Sequence, residues 1–360
     1  MMNIERKKFH PGYYLRQDLT ALEMTPVEFS KRTGISEKQV SDLLNEKISL
    51  TLPLAEKLSA FFGSSVSLWL GLQTDYDLYQ KIQDYHRQIE EDRHLLMSID
   101  KSFRETLILR DETRDPEQEV LEARVQLQVG RLSLLNQNDL YVAYKDVRTQ
   151  TASPFLKNVW LSLAIKKARE EENLVYREGA LLKKIPLFRS YTLTDPKNFY
   201  PQLKKDLEEA GIHFSVLPYL PKSNIYGATK WIDNMASPVL ALSNRGRSND
   251  VFWFSFFHEL SHVLMGHKKN LLDTTLENAQ TDLEKEADQK AADFLIPSKD
   301  WHFFVSQGSF YPDSINSFAL KEGIHPGLVV GRLQKEGLLD PSFHNTLKVT
   351  YDPQDFVDHV

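Results

Sequence analysis

Residues 258–262 read His258-Glu259-Leu260-Ser261-His262, set in the apolar run from Val251 to Met265. Positions i and i+4 of a helix lie one above the other, so both imidazoles can reach one metal ion, and Glu259 between them can stand beside a water on that ion. Two nitrogen ligands and a carboxylate able to take a proton and pass it on are the minimum equipment for metal-assisted hydrolysis.

Such a site needs a third ligand. A further His three residues past a Gly would require Gly at 265 and His at 268, but the chain has Met265 and Lys268. The other common solution is a carboxylate on a second helix. The segment from Asp282 to Pro297 carries Leu283, Ala287, Ala291, Phe294 and Leu295 at helical spacing, and Pro297 closes it. Its small face, Ala287, Ala291 and Ala292, would press against the histidine helix. Glu286 flanks that face and is the expected third ligand; Glu284 is its nearest competitor, and Asp293 is a candidate to orient a ligand imidazole. His267, after Gly266, reads as a helix-end histidine rather than a ligand. With no cysteine in the chain, any metal is held through nitrogen and oxygen. His, His and Glu suit zinc and also admit manganese or iron.

The stretch from Arg247 to His262, followed by Glu284-Lys285-Glu286-Ala287-Asp288 and Ala291-Ala292-Asp293-Phe294-Leu295-Ile296-Pro297, resembles the ImmA/IrrE family of metallopeptidases. Ser261 stands where that family usually has Gly, and a small hydroxyl that bonds back to its own helix should disturb little. The resemblance implies His258, His262 and Glu286 as metal ligands, Glu259 as the catalytic carboxylate, and a zincin-like (gluzincin) α+β fold. It also implies a protein substrate, since members typically cut helix-turn-helix repressors.

Near the N-terminus, Thr25-Pro26-Val27-Glu28 offers an N-cap, a Pro at the first helical position and a Glu at the third, and Ser36-Glu37-Lys38-Gln39 repeats the signal. Thr33-Gly34-Ile35 makes a short turn between the two helices. Val27, Phe29, Ile35, Val40, Leu43 and Leu44 are the expected small core. The spacing fits a helix-turn-helix and equally a generic helix pair.

His10-Pro11-Gly12-Tyr13-Tyr14-Leu15, this helix pair, Ala55 to Gly63 and Leu68 to Leu78 together resemble HigA-type antitoxins of the Xre repressor class. That resemblance implies a homodimer on a palindromic operator, with Lys38, Gln39 and Ser41 on the second helix and Lys31 and Lys47 nearby as DNA contacts. The charge balance is a restraint: residues 1–78 hold nine Lys+Arg against ten Asp+Glu, a net of −1, so any DNA contact must be local.

At 360 residues and 41% hydrophobic, the chain can build two or three cores. No apolar h-region follows the charged start and no stretch is long enough to span a bilayer, which points to the cytoplasm. The expected layout is multi-domain α+β: an all-α helix-turn-helix domain over 1–78, a helical connector over 79–150, a peptidase domain over 151–297 and a helical extension over 298–360. Ile212 to Leu220, Ile225 to Trp231 and Pro238 to Ser243 read as strands of a small sheet beside the histidine helix. In the extension, two helices about Gly323 suggest either a second helix-turn-helix or a packing appendage, and His325 is a candidate oxyanion donor. The function expected is a DNA-binding regulator fused to a zinc peptidase that cleaves a helix-turn-helix repressor, a toxin partner or itself, relieving repression in a stress or mobile-element response. The alternative is an antitoxin-like repressor whose peptidase fold binds metal or a partner without turnover.

Overall fold

The structure is a computed structural model and describes residues 7–107, 115–137, 153–171, 173–232, 236–266 and 277–358. His267 therefore lies outside the described residues. The chain divides into two compact units, Met1–Glu91 and Asp92–Val360. No helix among the described residues is long and apolar enough to cross a membrane.

Unit 1 is built from α1 (Pro11–Ala21), α2 (Pro26–Thr33), α3 (Glu37–Leu44), α4 (Leu52–Phe62) and the first part of α5 (Val66–Ser98). Caps set the boundaries. Thr25 Oγ1 accepts from the Glu28 amide at 3.2 Å, while Glu28 itself turns to Arg32 and leaves the reciprocal bond unmade. At α3 the full capping box forms, Ser36 and Gln39 each bonding the other's backbone. Gly34 ends α2 at φ +66°, which only a residue without Cβ adopts freely. Leu15, Phe29, Ile35, Val40, Leu43, Leu58 and Trp69 close the core. Val27 does not join it: this expected core residue is 45% exposed, because its position in the first turn of α2 faces away from Phe29. The boundary expected at residue 78 falls inside α5, which runs on as one helix to Ser98.

Unit 2 begins with the rest of α5, α6 (Lys101–Leu107) and α7 (Pro116–Gln126), tied by Asp92, which is fully buried and accepts from Arg124, the Leu132 amide and the Ser133 amide. Then follow α8 (Pro154–Glu170), α9 (Glu178–Tyr191) and α10 (Pro196–Glu209). The sheet has β1 (His213–Leu217), β2 (Gly227–Ile232) and β3 (Ser237–Ser243) in the order β1-β3-β2. β1 runs parallel to β3, and β2 antiparallel, with Ala228 opposite Ala241. The outer edge of β1 is covered near the C-terminus, where the Asp358 amide donates to the Val216 carbonyl at 2.8 Å. β2 is the other edge.

α11 (Asn249–Leu264) is central. Phe252, Trp253, Phe256, Phe257, Leu260 and Val263 are all buried, so it is apolar nearly all round, as a helix inside a core must be. Against it pack β2, β3, α12 (Glu277–Leu295) and α15 (Pro326–Lys335), while α14 (Pro312–Glu322) packs on α15 and α13 (Ser298–Ser306) meets α14 through Trp301 and Phe318. The core is continuous from Leu181 to Phe356, so residue 297 marks no structural boundary. Tyr351 and Phe356 meet Phe252 edge to face, and Tyr351 accepts the Trp253 indole N–H at 3.0 Å. Leu328, Val329, Val330 and Leu333 of α15 are buried against α11. In the C-terminal helix pair, α15 packs on both α11 and α14.

Candidate metal centre and helix-turn-helix surface

His258 and His262 sit one turn apart on α11, with their Nε2 atoms 3.0 Å apart. Glu284 of α12 faces both, Oε2 at 3.2 Å from His258 Nε2 and Oε1 at 3.3 Å from His262 Nε2. Glu286 does not. It is half-exposed and pairs with Lys290 at 3.2 Å, so the sequence-based choice of third carboxylate is corrected to Glu284. The cause is helical phase: at 100° per residue, 284 and 286 point about 200° apart, whereas 284, 288 and 291 share a face. Asp293 is also displaced from its expected role, bonding Ser298 and Gln289 instead. Asp288 takes its place, with Oδ1 2.8 Å from His258 Nδ1.

These donors fit a divalent cation. With Asp288 holding a proton on Nδ1, a neutral His258 presents its lone pair at Nε2. Glu284 Oε2 is buried, with His258 Nε2 facing it at 3.2 Å. Burial pushes the Glu284 carboxyl up, but the two imidazoles facing it more than offset this and hold it at about 2. It is an anion across the physiological range. Separations of 3.0, 3.2 and 3.3 Å approach the roughly 3.4 Å edges of a tetrahedron drawn with zinc–ligand distances near 2.1 Å.

Glu259 is 3% exposed and is cradled by β2. The Thr229 hydroxyl donates to Glu259 Oε2 at 2.8 Å, and a Cβ at Gly227 would lie 2.8 Å from Glu259 Cγ. Residues 227 and 229 share one face of the strand, so two positions of β2 fix one carboxylate. Neither was foreseen from the sequence; period-2 alternation places them on a common face but does not say what that face meets. Ser261 bonds back to the Phe257 carbonyl at 2.7 Å, as expected of a small hydroxyl there. His325 is elsewhere. Its Nδ1 caps α15 by accepting from the Gly327 amide at 3.1 Å and lies 2.8 Å from Asn249 Nδ2, at the far end of α11 from the histidine pair. The oxyanion role expected for it is therefore withdrawn. Burial lowers its pKa.

Asp288→Asn should weaken metal binding about 10- to 100-fold without unfolding the chain, the usual cost of losing a carboxylate that orients a ligand imidazole. Competition with a chromophoric chelator measures it, and unchanged affinity would remove Asp288 from the site.

On α3, Val40, Leu43 and Leu44 face inward and Lys38, Gln39 and Ser41 are exposed, as are Lys31 on α2 and Lys47 beyond α3. The Gln39 amide oxygen is engaged in the α3 cap. Lys57, not singled out by the sequence reading, donates to the Gly34 carbonyl at 2.6 Å and adds a cation at the turn between the helices.

Comparisons with known proteins agree with both halves. The helix-turn-helix family model matches residues 15–69. Virulence-associated protein A' of Dichelobacter nodosus is 36% identical over 72 residues, 20% of this chain and 63% of the relative, so under two thirds of that protein is spanned. The uncharacterized HTH-type transcriptional regulator YddM of Escherichia coli is 37% identical over 68 residues, 19% of this chain and 72% of the relative. Antitoxin HigA-1 of Vibrio cholerae is 31% identical over 100 residues, 25% of this chain and 94% of the relative. A peptidase-family model, described as the IrrE N-terminal-like domain, matches residues 207–308. The chain belongs to the helix-turn-helix regulators and carries an IrrE-type domain in the same polypeptide. No solved structure matches it. The IrrE-type match includes α11 and α12 with His258, His262 and Glu284, and begins within α10, upstream of the sheet that cradles Glu259.

Proposed function

We propose that this helix-turn-helix regulator uses its IrrE-type domain as a zinc-dependent endopeptidase that cleaves a regulatory protein: a helix-turn-helix repressor, a toxin partner or itself. The observation that carries the reading is the cluster of buried His258 and Glu284 with partly buried His262, and Glu259 fixed on the histidine helix by Thr229. When bound, the metal supplies Lewis acidity, polarising a carbonyl and acidifying water. His258, His262 and Glu284 would hold it, and Asp288 would keep the His258 proton on Nδ1. Glu259 Oε2 is occupied by the Thr229 hydroxyl, which leaves Oε1 to take the proton from the attacking water and deliver it to the departing amine. Edge strand β2 offers its outer backbone groups to an extended substrate, which would add as a further strand.

In unit 1, Lys38, Ser41, Lys31 and Lys47 are the proposed operator contacts, and Gln39 joins them through the part of its amide that the cap leaves over. The regulator works as a homodimer in the cytoplasm, and cleavage relieves repression in a stress or mobile-element response.

The test is incubation of the purified chain with each co-encoded protein, zinc-loaded or chelator-treated, with products identified by mass spectrometry. A discrete cut that appears with zinc and disappears with chelator is expected. Intact partners in both arms, alongside retained operator binding, would leave only the reading in which the fold binds metal without turnover.

A further inference from the structure

A cavity of about 700 Å³ opens directly onto Glu259 and His258. Its apolar lining includes Val251 and Phe254 from α11, Leu295 at the end of α12, Ile296 just past it, and Leu328 from α15. Val251 and Glu259 both line it, eight residues apart on α11, so the cleft extends about 12 Å along the helix axis. An extended chain covers that distance in three to four residues, at about 3.3 Å each. The cleft is therefore too long for one side chain.

Most charged groups around it are already engaged, although Asp250 Oδ1 is buried without a hydrogen-bond partner and Lys285 meets Asp282 out in solvent. Arg332 bonds Glu336 at 2.9 Å and the carbonyls of Ala292 and Ile296. Lys335 lies 3.5 Å from Asp288 and 3.6 Å from the centre of the Phe254 ring. Asp250 meets Lys348 at 2.7 Å. Away from Asp250 at one end of the cleft, a charged substrate side chain would have to break one of these pairs, whereas an apolar one gains by leaving water.

We propose that this cleft selects a polypeptide segment with bulky apolar side chains at several successive positions beside the bond to be cut. The proposal rests on the peptidase reading and gives it a substrate class. In a folded regulator such runs lie in the core, so the cleft meets them only once the segment is exposed by local opening or loss of a partner. The enzyme would then read the state of its target as well as its sequence.

The test uses the zinc-loaded Glu259→Gln chain and two fluorescein-labelled peptides, one centred on Leu-Phe-Ile-Leu and the other on Ser-Gln-Asn-Ser, read by fluorescence anisotropy. The apolar peptide should bind at least about tenfold more tightly. Ala292→Leu and Ser255→Leu, which narrow the cleft from opposite walls, should each weaken it at least about fivefold while metal content stays unchanged. Equal binding of the two peptides overturns the proposal, as does undiminished binding by a folded, metal-loaded narrowed variant; if neither variant folds, the peptide pair alone decides. Apolar preference without cutting by the zinc-loaded parent overturns the peptidase reading and leaves the cleft. Cutting that ignores apolar residues does the reverse.

Discussion

Replacing Glu284 by Ala should strip zinc from the chain, and replacing Glu286 by Ala should leave it bound. The two residues lie two positions apart in a stretch of sequence that offers either as a ligand. Only Glu284 is buried against His258 and His262, at 3.2 and 3.3 Å. Losing it leaves two imidazoles to hold a divalent cation, and the affinity should fall by more than the ~100-fold that loss of an outer orienting partner can cost. Glu286 is on the solvent side, paired with Lys290 across one helical turn, and an exposed pair of that kind contributes less than about 1 kcal/mol. Metal content after gel filtration, with thermal unfolding in parallel, separates the two variants. If Glu286→Ala loses its metal while Glu284→Ala keeps it, the geometry of α12 described above is wrong.

That pair also marks how far the sequence could be read. The histidine helix, the acidic helix ending before Pro297 and the three strands all emerge from local periodicity, and each is present. Choosing between Glu284 and Glu286 required the rotation of α12 about its axis. Both flank the alanine stripe, so composition could not separate them. A signal was nonetheless there: Glu284 and Asp288 are four apart and share the face of Ala287 and Ala291, which suits one carboxylate for the metal and another for its ligand. Helix α9 escaped notice because Pro186 interrupts its pattern, and the fold accommodates it within Glu178–Tyr191. The role of the C-terminal residues was invisible for a different reason. Tyr351 and Phe356 pack on Phe252 about a hundred residues away, and no local pattern encodes a partner at that distance. His325 looked chemical because histidine often is; its actual work is to cap α15, a use that Pro326 at the first helical position signals equally well.

Glu259→Gln should lower the rate of peptide cleavage by about 10²- to 10⁴-fold, the range over which a positioned proton carrier contributes, with zinc content unchanged. Gln keeps the size and can still meet Thr229, so metal, cleft and fold persist while the proton acceptor is gone. The strand beneath it allows a finer cut. Thr229→Val removes the hydroxyl that fixes Glu259 Oε2 at 2.8 Å and should reduce kcat about tenfold with KM nearly constant, since the carboxylate remains but is no longer held to one orientation. Thr229→Ser should restore most of that loss, which a purely structural defect would not allow. Gly227→Ala acts by displacement: its new Cβ, 2.8 Å from Glu259 Cγ and 2.9 Å from Leu242 Cδ2, must push the carboxylate or the strand aside, at a stability cost of about 1–3 kcal/mol. Its activity should fall toward that of Glu259→Gln even though every ionisable group of the site is retained. Full activity in Glu259→Gln would mean that some other group carries the proton, and β2 would then be only a wall of the site.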